Sequence, residues 1–192
     1  MSDIQNAQSA VPLPSAEINL GGTSTSERFF LTSSASGGVA SGSAVMCRLP
    51  GSNILKNRPF RIRAAGRVTG GTTTNFTAKI YYGNNATVSS NTQIATTSTN
   101  AVNSASGTWL LECECTMDST SLKICGVFFG FVNATAVAQV TLSNNVTILD
   151  PSTEPSLTTA SATQNVLTVT GTFSTGNASN VAYVDVFEVI AM

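Results

Sequence analysis

From Arg28 onward, the chain is built of short runs of β-branched and aromatic residues, separated by clusters of Gly, Asn, Ser and Thr. Runs of this length and spacing are typical of an antiparallel β-sandwich or barrel. One turn over Ser52–Lys56 is the candidate helix. The pattern predicts an all-β fold with about ten strands: Phe29–Thr32, Ala44–Leu49, Pro59–Val68, Phe76–Tyr82, Thr92–Thr96, Thr108–Met117, Leu122–Val132, Ala138–Leu142, Val166–Phe173 and Val181–Ile190.

Several of these strands alternate between polar and apolar residues. Arg61 and Arg63 alternate with apolar neighbours, and similar alternation runs through Val166–Thr170 and Val181–Val189. Each of these strands should therefore have one face in the core and one face in contact with solvent. The predicted core contains side chains at alternate positions of the strongest strands: Phe60, Ile62, Ile80, Trp109, Leu111, Phe128, Val169, Phe187 and either Val184 or Tyr183.

The number of strands and their long connections favour a jelly roll, in which two sheets pack face to face. An immunoglobulin-like sandwich is the alternative, but its domains have about 100 residues and a Cys…Trp…Cys spacing. Here the single Trp109 lies just before Cys113. We predict a jelly-roll-like antiparallel β-sandwich over residues 26–192. An extended N-terminal arm is expected over residues 1–25, because its Pro- and Gly-rich composition cannot build a core.

Composition argues against several classes of function. The chain has no His, which removes the commonest general base and metal ligand. Its 9 basic and 10 acidic residues create no positive field for nucleic acid. No apolar window of about 18 residues predicts a membrane span, and the first residues lack the features of a signal peptide. We expect synthesis in the cytoplasm, no nucleic-acid or membrane partner, no cofactor and no enzymatic activity.

The four cysteines, Cys47, Cys113, Cys115 and Cys125, are expected to be thiols, because disulfides are uncommon in a reducing cytosol. Cys115 and Cys125 flank a predicted turn, so a zinc site with Cys113, Cys115 and Cys125 as ligands is the alternative interpretation. The spacing does not match the common zinc-binding patterns. Burial in the core is the favoured interpretation, and no metal is expected.

Glu112 and Glu114 are expected to lie about 7 Å apart on one face of a strand, a separation that a glycosidase carboxylate pair can have. The alternative interpretation is charge matching on a solvated face, with Lys123 on the adjoining strand as the partner. We favour charge matching, because spacing alone does not select a catalytic pair.

Basic residues cluster in one part of the chain: six of the nine lie between positions 48 and 67. In one interpretation, Arg58, Arg61 and Arg63 bind a carboxylate-rich partner through forked contacts. In the other, the charges protect the edge of a sheet against aggregation. Nucleic acid or polysaccharide is a third and weaker alternative.

Several segments together resemble the small jelly-roll structural proteins of tailed bacteriophages, particularly the capsid decoration or cement proteins. The resemblance covers most of residues 28–190 and rests on four segments: Pro59–Val68 followed by Gly70-Gly71, Ala78–Gly83, Ser106–Glu112 and Val181–Ile190. It implies a virion protein on the capsid exterior that binds the major capsid protein as a homo-oligomer, with a trimer as the usual state.

The same resemblance implies that the arm, with Val11, Pro12, Leu13 and Pro14 at its centre, reaches across neighbouring coat subunits. Similar jelly rolls occur in phage tail and fibre proteins that bind host glycans or receptors, and this is the alternative function. Tyr81 and Tyr82 are the best candidates for a glycan-stacking surface, although only one can face outward from a strand.

Overall fold

The structure, a computed structural model, describes residues 8–10, 25–30, 46–48, 59–71, 74–83, 87–97, 99–102, 106–118, 121–133 and 166–192. These residues contain one turn of 3-10 helix, Val88–Ser90, and no helix that is long and apolar enough to cross a membrane. The strands in this part of the chain are β1 Gln8–Ala10, β2 Arg28–Phe29, β3 Met46–Arg48, β4 Phe60–Thr69, β5 Asn75–Tyr82, β6 Thr92–Thr96, β7 Asn100–Ala101, β8 Ser106–Asp118, β9 Ser121–Asn133, β10 Val166–Phe173, β11 Val181–Ala182 and β12 Val186–Ala191.

The strands form two antiparallel sheets. The first sheet has the order β1-β12-β4-β8-β9, and β11 also pairs with β4. The second has the order β2-β10-β5-β6, with β3 on β10 beside β2 and β7 on β5 beside β6. This architecture confirms the predicted all-β sandwich.

Strand order identifies the sandwich as a jelly roll. β2 and β3 are counted as one position, and so are β6 and β7. The described strands then occupy eight positions, and β9 is added to β8 as a hairpin. The first sheet then holds positions one, eight, three and six, and the second holds two, seven, four and five. This arrangement is the jelly-roll order. Three residues of the segment assigned to the arm, Gln8–Ala10, occupy the first position and pair with β12.

The core lies between the two sheets and contains the residues predicted for it. Eight predicted core residues are buried: Phe60, Ile62, Ile80, Trp109, Leu111, Val169, Val184 and Phe187. Phe30 stacks on Trp109 with 5.8 Å between ring centroids, and Phe76 lies 6.1 Å from the same ring. Tyr183 is half-buried, so Val184 is the core residue of that pair. The side chain of Phe128 lies outside the described residues.

The prediction that Val166–Thr170 has one solvent-exposed face is wrong. All five residues are buried, including Thr168 and Thr170 on the face away from the core. Phe29 pairs with Thr170, and Tyr81 pairs with Thr168; both aromatic residues are themselves buried. The Thr170 hydroxyl donates a hydrogen bond to Glu27, whereas the buried Thr168 hydroxyl has no partner among the described residues. The polarity of threonine therefore did not indicate a solvated face.

The last predicted strand is interrupted in the structure. Val181–Ile190 divides into β11 and β12, because the carbonyl oxygen of Tyr183 accepts a hydrogen bond from Trp109 Nε1 at 3.0 Å. A Cβ on Gly66 would overlap this carbonyl oxygen, so only glycine fits there.

The predicted elements Ala138–Leu142 and Ser52–Lys56 lie outside the described residues, and β1 and β7 were not predicted.

Candidate functional site

Five charged side chains form a row of alternating sign on the outer face of the first sheet. We call this row the charge ladder. From one end of the row to the other, its members are Glu114, Arg61, Glu112, Arg63 and Glu188. The strand register creates it: Arg61 pairs with Glu114, and Arg63 pairs with Glu112 on β8 and with Glu188 on β12. Because directly paired residues of antiparallel strands share a face, opposite charges meet across all three strands.

The contacts in the ladder differ in quality. Arg61 Nη2 donates a hydrogen bond of 2.9 Å to Glu114 Oε1, whereas Arg61 Nε lies 3.2 Å from Glu112 Oε1 without the alignment of a hydrogen bond. Arg63 Nε is 3.8 Å from Glu112 Oε2, and Arg63 Nη1 is 3.6 Å from Glu188 Oε1. The hydrogen bond to Glu114 and the charge of Glu112 raise the pKa of Arg61 above its already high ordinary value.

The ladder decides between sequence interpretations. Edge protection is wrong for Arg61 and Arg63, because β4 lies between β12 and β8. Charge matching of Glu112 and Glu114 is confirmed, but with the arginines of β4 as partners; Lys123 instead pairs in register with Thr116. Binding of Arg61 and Arg63 to another molecule stays a prediction.

A second charged group lies at the interruption between β11 and β12. Arg67 forms a bidentate pair with Asp185, with Nε to Oδ2 and Nη2 to Oδ1 both at 2.9 Å. The guanidinium carbon lies 4.7 Å from the centroid of the Tyr183 ring, within the range of a cation–π contact. Arg67 therefore contacts both Asp185 and the Tyr183 ring at the margin of the same outer face.

The second sheet has a more buried polar cluster on its outer face. Glu27 accepts hydrogen bonds from Lys79 Nζ at 2.9 Å and from Thr170 Oγ1 at 2.6 Å. Burial, followed by the charge of Glu27 and a hydrogen bond to it, raises the pKa of Tyr81 well above its ordinary value. Thr168 Oγ1 is buried here with no hydrogen-bond partner among the described residues. Glu27 thus joins the segment before β2 to β5 and β10.

The predicted glycan-stacking surface is not formed by the two tyrosines. Tyr81 is buried on the outer face beside Glu27, and Tyr82 is half-buried and packs against the core. Ring stacking on a sugar requires an open aromatic face, which the buried Tyr81 does not offer.

Cys47, Cys113 and Cys115 are buried thiols, as the core interpretation predicts. Cys113 Sγ lies 3.9 Å from Cys115 Sγ, close enough for a weak S–H···S contact. Within the described residues, no group of three or more potential metal ligands is found. The side chain of Cys125 lies outside these residues, as do Arg58 and the arm residues Val11, Pro12, Leu13 and Pro14.

Three of the charged partners were not predicted from the sequence. Glu188 occupies an alternating position of the last strand, so its face was predictable, but its pairing with Arg63 depends on the order β12-β4-β8. Asp185 and Glu27 lie next to strands rather than inside them, and no local pattern connects them with Arg67 and Lys79.

Comparison of the chain with protein-family models, with curated proteins and with solved structures found no match.

Proposed function

We propose that the chain is a structural protein of a phage particle that decorates and stabilises the capsid by binding coat-protein surfaces as an oligomer, and that it is not an enzyme. The observation that carries this proposal is that charged side chains of the sandwich are paired with one another. Nine charged side chains take part in ion pairs that join different segments of the chain. Groups committed in this way stiffen a sheet surface rather than present a reactive acid, base or nucleophile.

The geometry is also consistent with repeated weak contacts. The jelly roll presents broad sheet faces, and an oligomer can engage several equivalent sites of a lattice at once. Each contact is then restored by the high effective concentration that the other contacts maintain. The choice of a phage capsid as the lattice rests on the resemblance of the sequence to decoration proteins.

Binding to capsids tests the proposal directly. The purified full chain is mixed with DNA-free heads of the phage that encodes it, and bound protein is measured after co-sedimentation. The same preparation is applied to an array of bacterial surface glycans. We expect saturable binding to heads with no retention on glycans. Glycan binding without head binding favours a tail or fibre module, and the absence of both overturns the proposal.

The arm provides a second test of the same mechanism. Replacing Val11 and Leu13 together with Ser removes apolar contact area without changing the length of the arm. We expect the Val11→Ser and Leu13→Ser variant to occupy fewer sites on heads while its thermal unfolding stays unchanged. Unchanged occupancy rules out this segment as an attachment element.

A further inference from the structure

The outer face of the first sheet combines an apolar centre with charged margins. Ala65 pairs with Leu110 on β8 and with Val186 on β12, so these three half-buried side chains form one row across the sheet. The charge ladder lies on one side of this row, and the ion pair of Arg67 and Asp185 lies on the other. An apolar centre with a polar rim is the usual anatomy of a protein–protein interface.

This face remains accessible to another molecule. The side chains of Arg61, Arg63, Arg67 and Glu114 are 38%, 43%, 50% and 40% exposed. Ion pairs on the face are therefore partly hydrated, and covering them costs desolvation that contacts between charges across the interface must offset.

From these features we propose that a second copy of this chain docks on the outer face of the first sheet, about a two-fold axis that runs parallel to the strands between β4 and β8. The proposal is independent of the capsid function. Such an axis turns one copy over onto the other and exchanges the positions of β4 and β8. Within one chain, each β4 residue has a register partner on β8. Across the interface, the β4 residue faces the same partner residue of the second copy.

Charge complementarity is the reason to choose a second copy as the occupant. Under this symmetry Arg61 faces Glu114 of the second copy, and Arg63 faces Glu112 of the second copy, because these are the register pairs. The apolar centre meets itself in the same way, with Ala65 opposite Leu110. Among the described side chains the face has three arginines and four carboxylates in ion pairs, so two copies carry little net repulsion.

The area is sufficient for a modest dimer. A strand of ten residues such as β4 is about 33 Å long, and five strands span about 19 Å. The face therefore covers on the order of 600 Å² per copy, or about 1,200 Å² for both copies, at the lower end of the range for specific complexes. A two-fold contact closes on two copies, so the proposal predicts a dimer where the phage resemblance implies a trimer.

The experiment reverses the whole ladder in one variant: Arg61→Glu, Arg63→Glu, Glu112→Arg, Glu114→Arg and Glu188→Arg. Every ion pair of the ladder is kept with its sign inverted, and the ladder contacts between two reversed copies are kept as well. A wild-type copy facing a reversed copy instead places like charges opposite each other. Equal amounts of isotope-labelled wild-type chain and reversed variant are mixed and analysed by native mass spectrometry, and each protein alone is examined by analytical ultracentrifugation.

We expect each protein to form a concentration-dependent dimer. The abundance of mixed dimers should be at least about tenfold below the binomial fraction that random pairing gives. Mixed dimers at the binomial fraction overturn the proposal, as does a wild-type chain that is monomeric at about 100 µM or that forms a trimer. If the reversed variant does not fold, Leu110→Glu replaces it and should give a folded monomer. Thr99→Glu, at an exposed position beside the second sheet, is the matched control and should leave the dimer intact.

Discussion

Strands β4 and β10 both lie in the interior of their sheets but have different outer faces. β4 alternates between buried and accessible residues along most of its length, whereas β10 is buried at seven of its eight positions. Arginines and glutamates occupy the outer face around β4, and Thr, Phe and Tyr occupy the outer face around β10. Alternation in a sequence therefore identifies the face that packs in the core, but not whether the opposite face is solvated.

The same contrast applies to the ion pairs. Lys79 and Glu27 on the second sheet are 25% and 21% exposed, and Glu27 also accepts a bond from Thr170. Arg61 and Glu114 on the first sheet are 38% and 40% exposed. Removing a partner is costlier where the remaining group has less access to water, so the two pairs should differ in their contribution to stability.

The largest effect is expected in the core that both sheets share. Trp109→Ala removes the ring that contacts Phe30 and Phe76 and leaves Tyr183 O without its donor. We expect a loss of about 3–5 kcal/mol in the free energy of unfolding, measured by chemical denaturation. Leu110→Ala, one residue further along β8 on the outer face, is the control and should cost about 1 kcal/mol. Equal losses would mean that Trp109 is not a core residue.

A smaller effect is expected at Gly66 on β4. Gly66→Ala places a methyl group against the backbone of Tyr183, which cannot move without disturbing β11 and β12. We expect a loss of about 1–3 kcal/mol. In Gly71→Ala the methyl group meets the side chain of Asn177 rather than backbone, and this side chain can turn away at the cost of its hydrogen bond from Ser179 N, so the loss should be smaller. Thermal unfolding of both variants checks the order, and the reverse order would contradict the close approach at Gly66.

The two ion pairs should differ by a measurable margin. Glu27→Ala leaves Lys79 and the Thr170 hydroxyl without their carboxylate, and we expect a loss of about 1–3 kcal/mol. Glu114→Ala should cost less than about 1 kcal/mol, because its partner is exposed and also contacts Glu112. Denaturation curves of both variants, with double-mutant cycles for each pair, provide the comparison. Equal coupling energies would remove the distinction between the two faces.

The smallest effect concerns Tyr81 and appears only at alkaline pH. An unfolded tyrosine ionises near pH 10, whereas burial and Glu27 keep Tyr81 protonated in the fold above that pH. The unfolded state then binds fewer protons, so stability is fully present below about pH 10 and falls as the pH rises further. Tyr81→Phe should show a shallower fall in unfolding free energy between about pH 9 and pH 11.5. Identical slopes would contradict the raised pKa.

Local patterns were sufficient for much of the fold and for part of the site. Phe60, Ile62, Trp109 and Leu111 were predicted in the core because residue alternation along one strand determines their face. The ladder was only half predictable: the sequence places Glu112 and Glu114 on one face, but their arginine partners follow from the order of strands distant in sequence. The burial of β10 depends on such long-range contacts for the same reason.

Head binding by two single-charge variants tests the central claim most directly. The claim is that the accessible face of the first sheet forms the dimer on which binding to heads depends. Leu110→Glu places a charge in the apolar centre of that face, and Thr99→Glu places the same charge beside the second sheet. Occupancy on DNA-free heads is measured for both at equal concentration, after thermal unfolding has shown that both are folded. We predict that Leu110→Glu loses at least about tenfold in apparent affinity, because the dimer and its avidity are lost, while Thr99→Glu binds like the wild type. Equal binding by the two variants, or a loss confined to Thr99→Glu, would contradict the account.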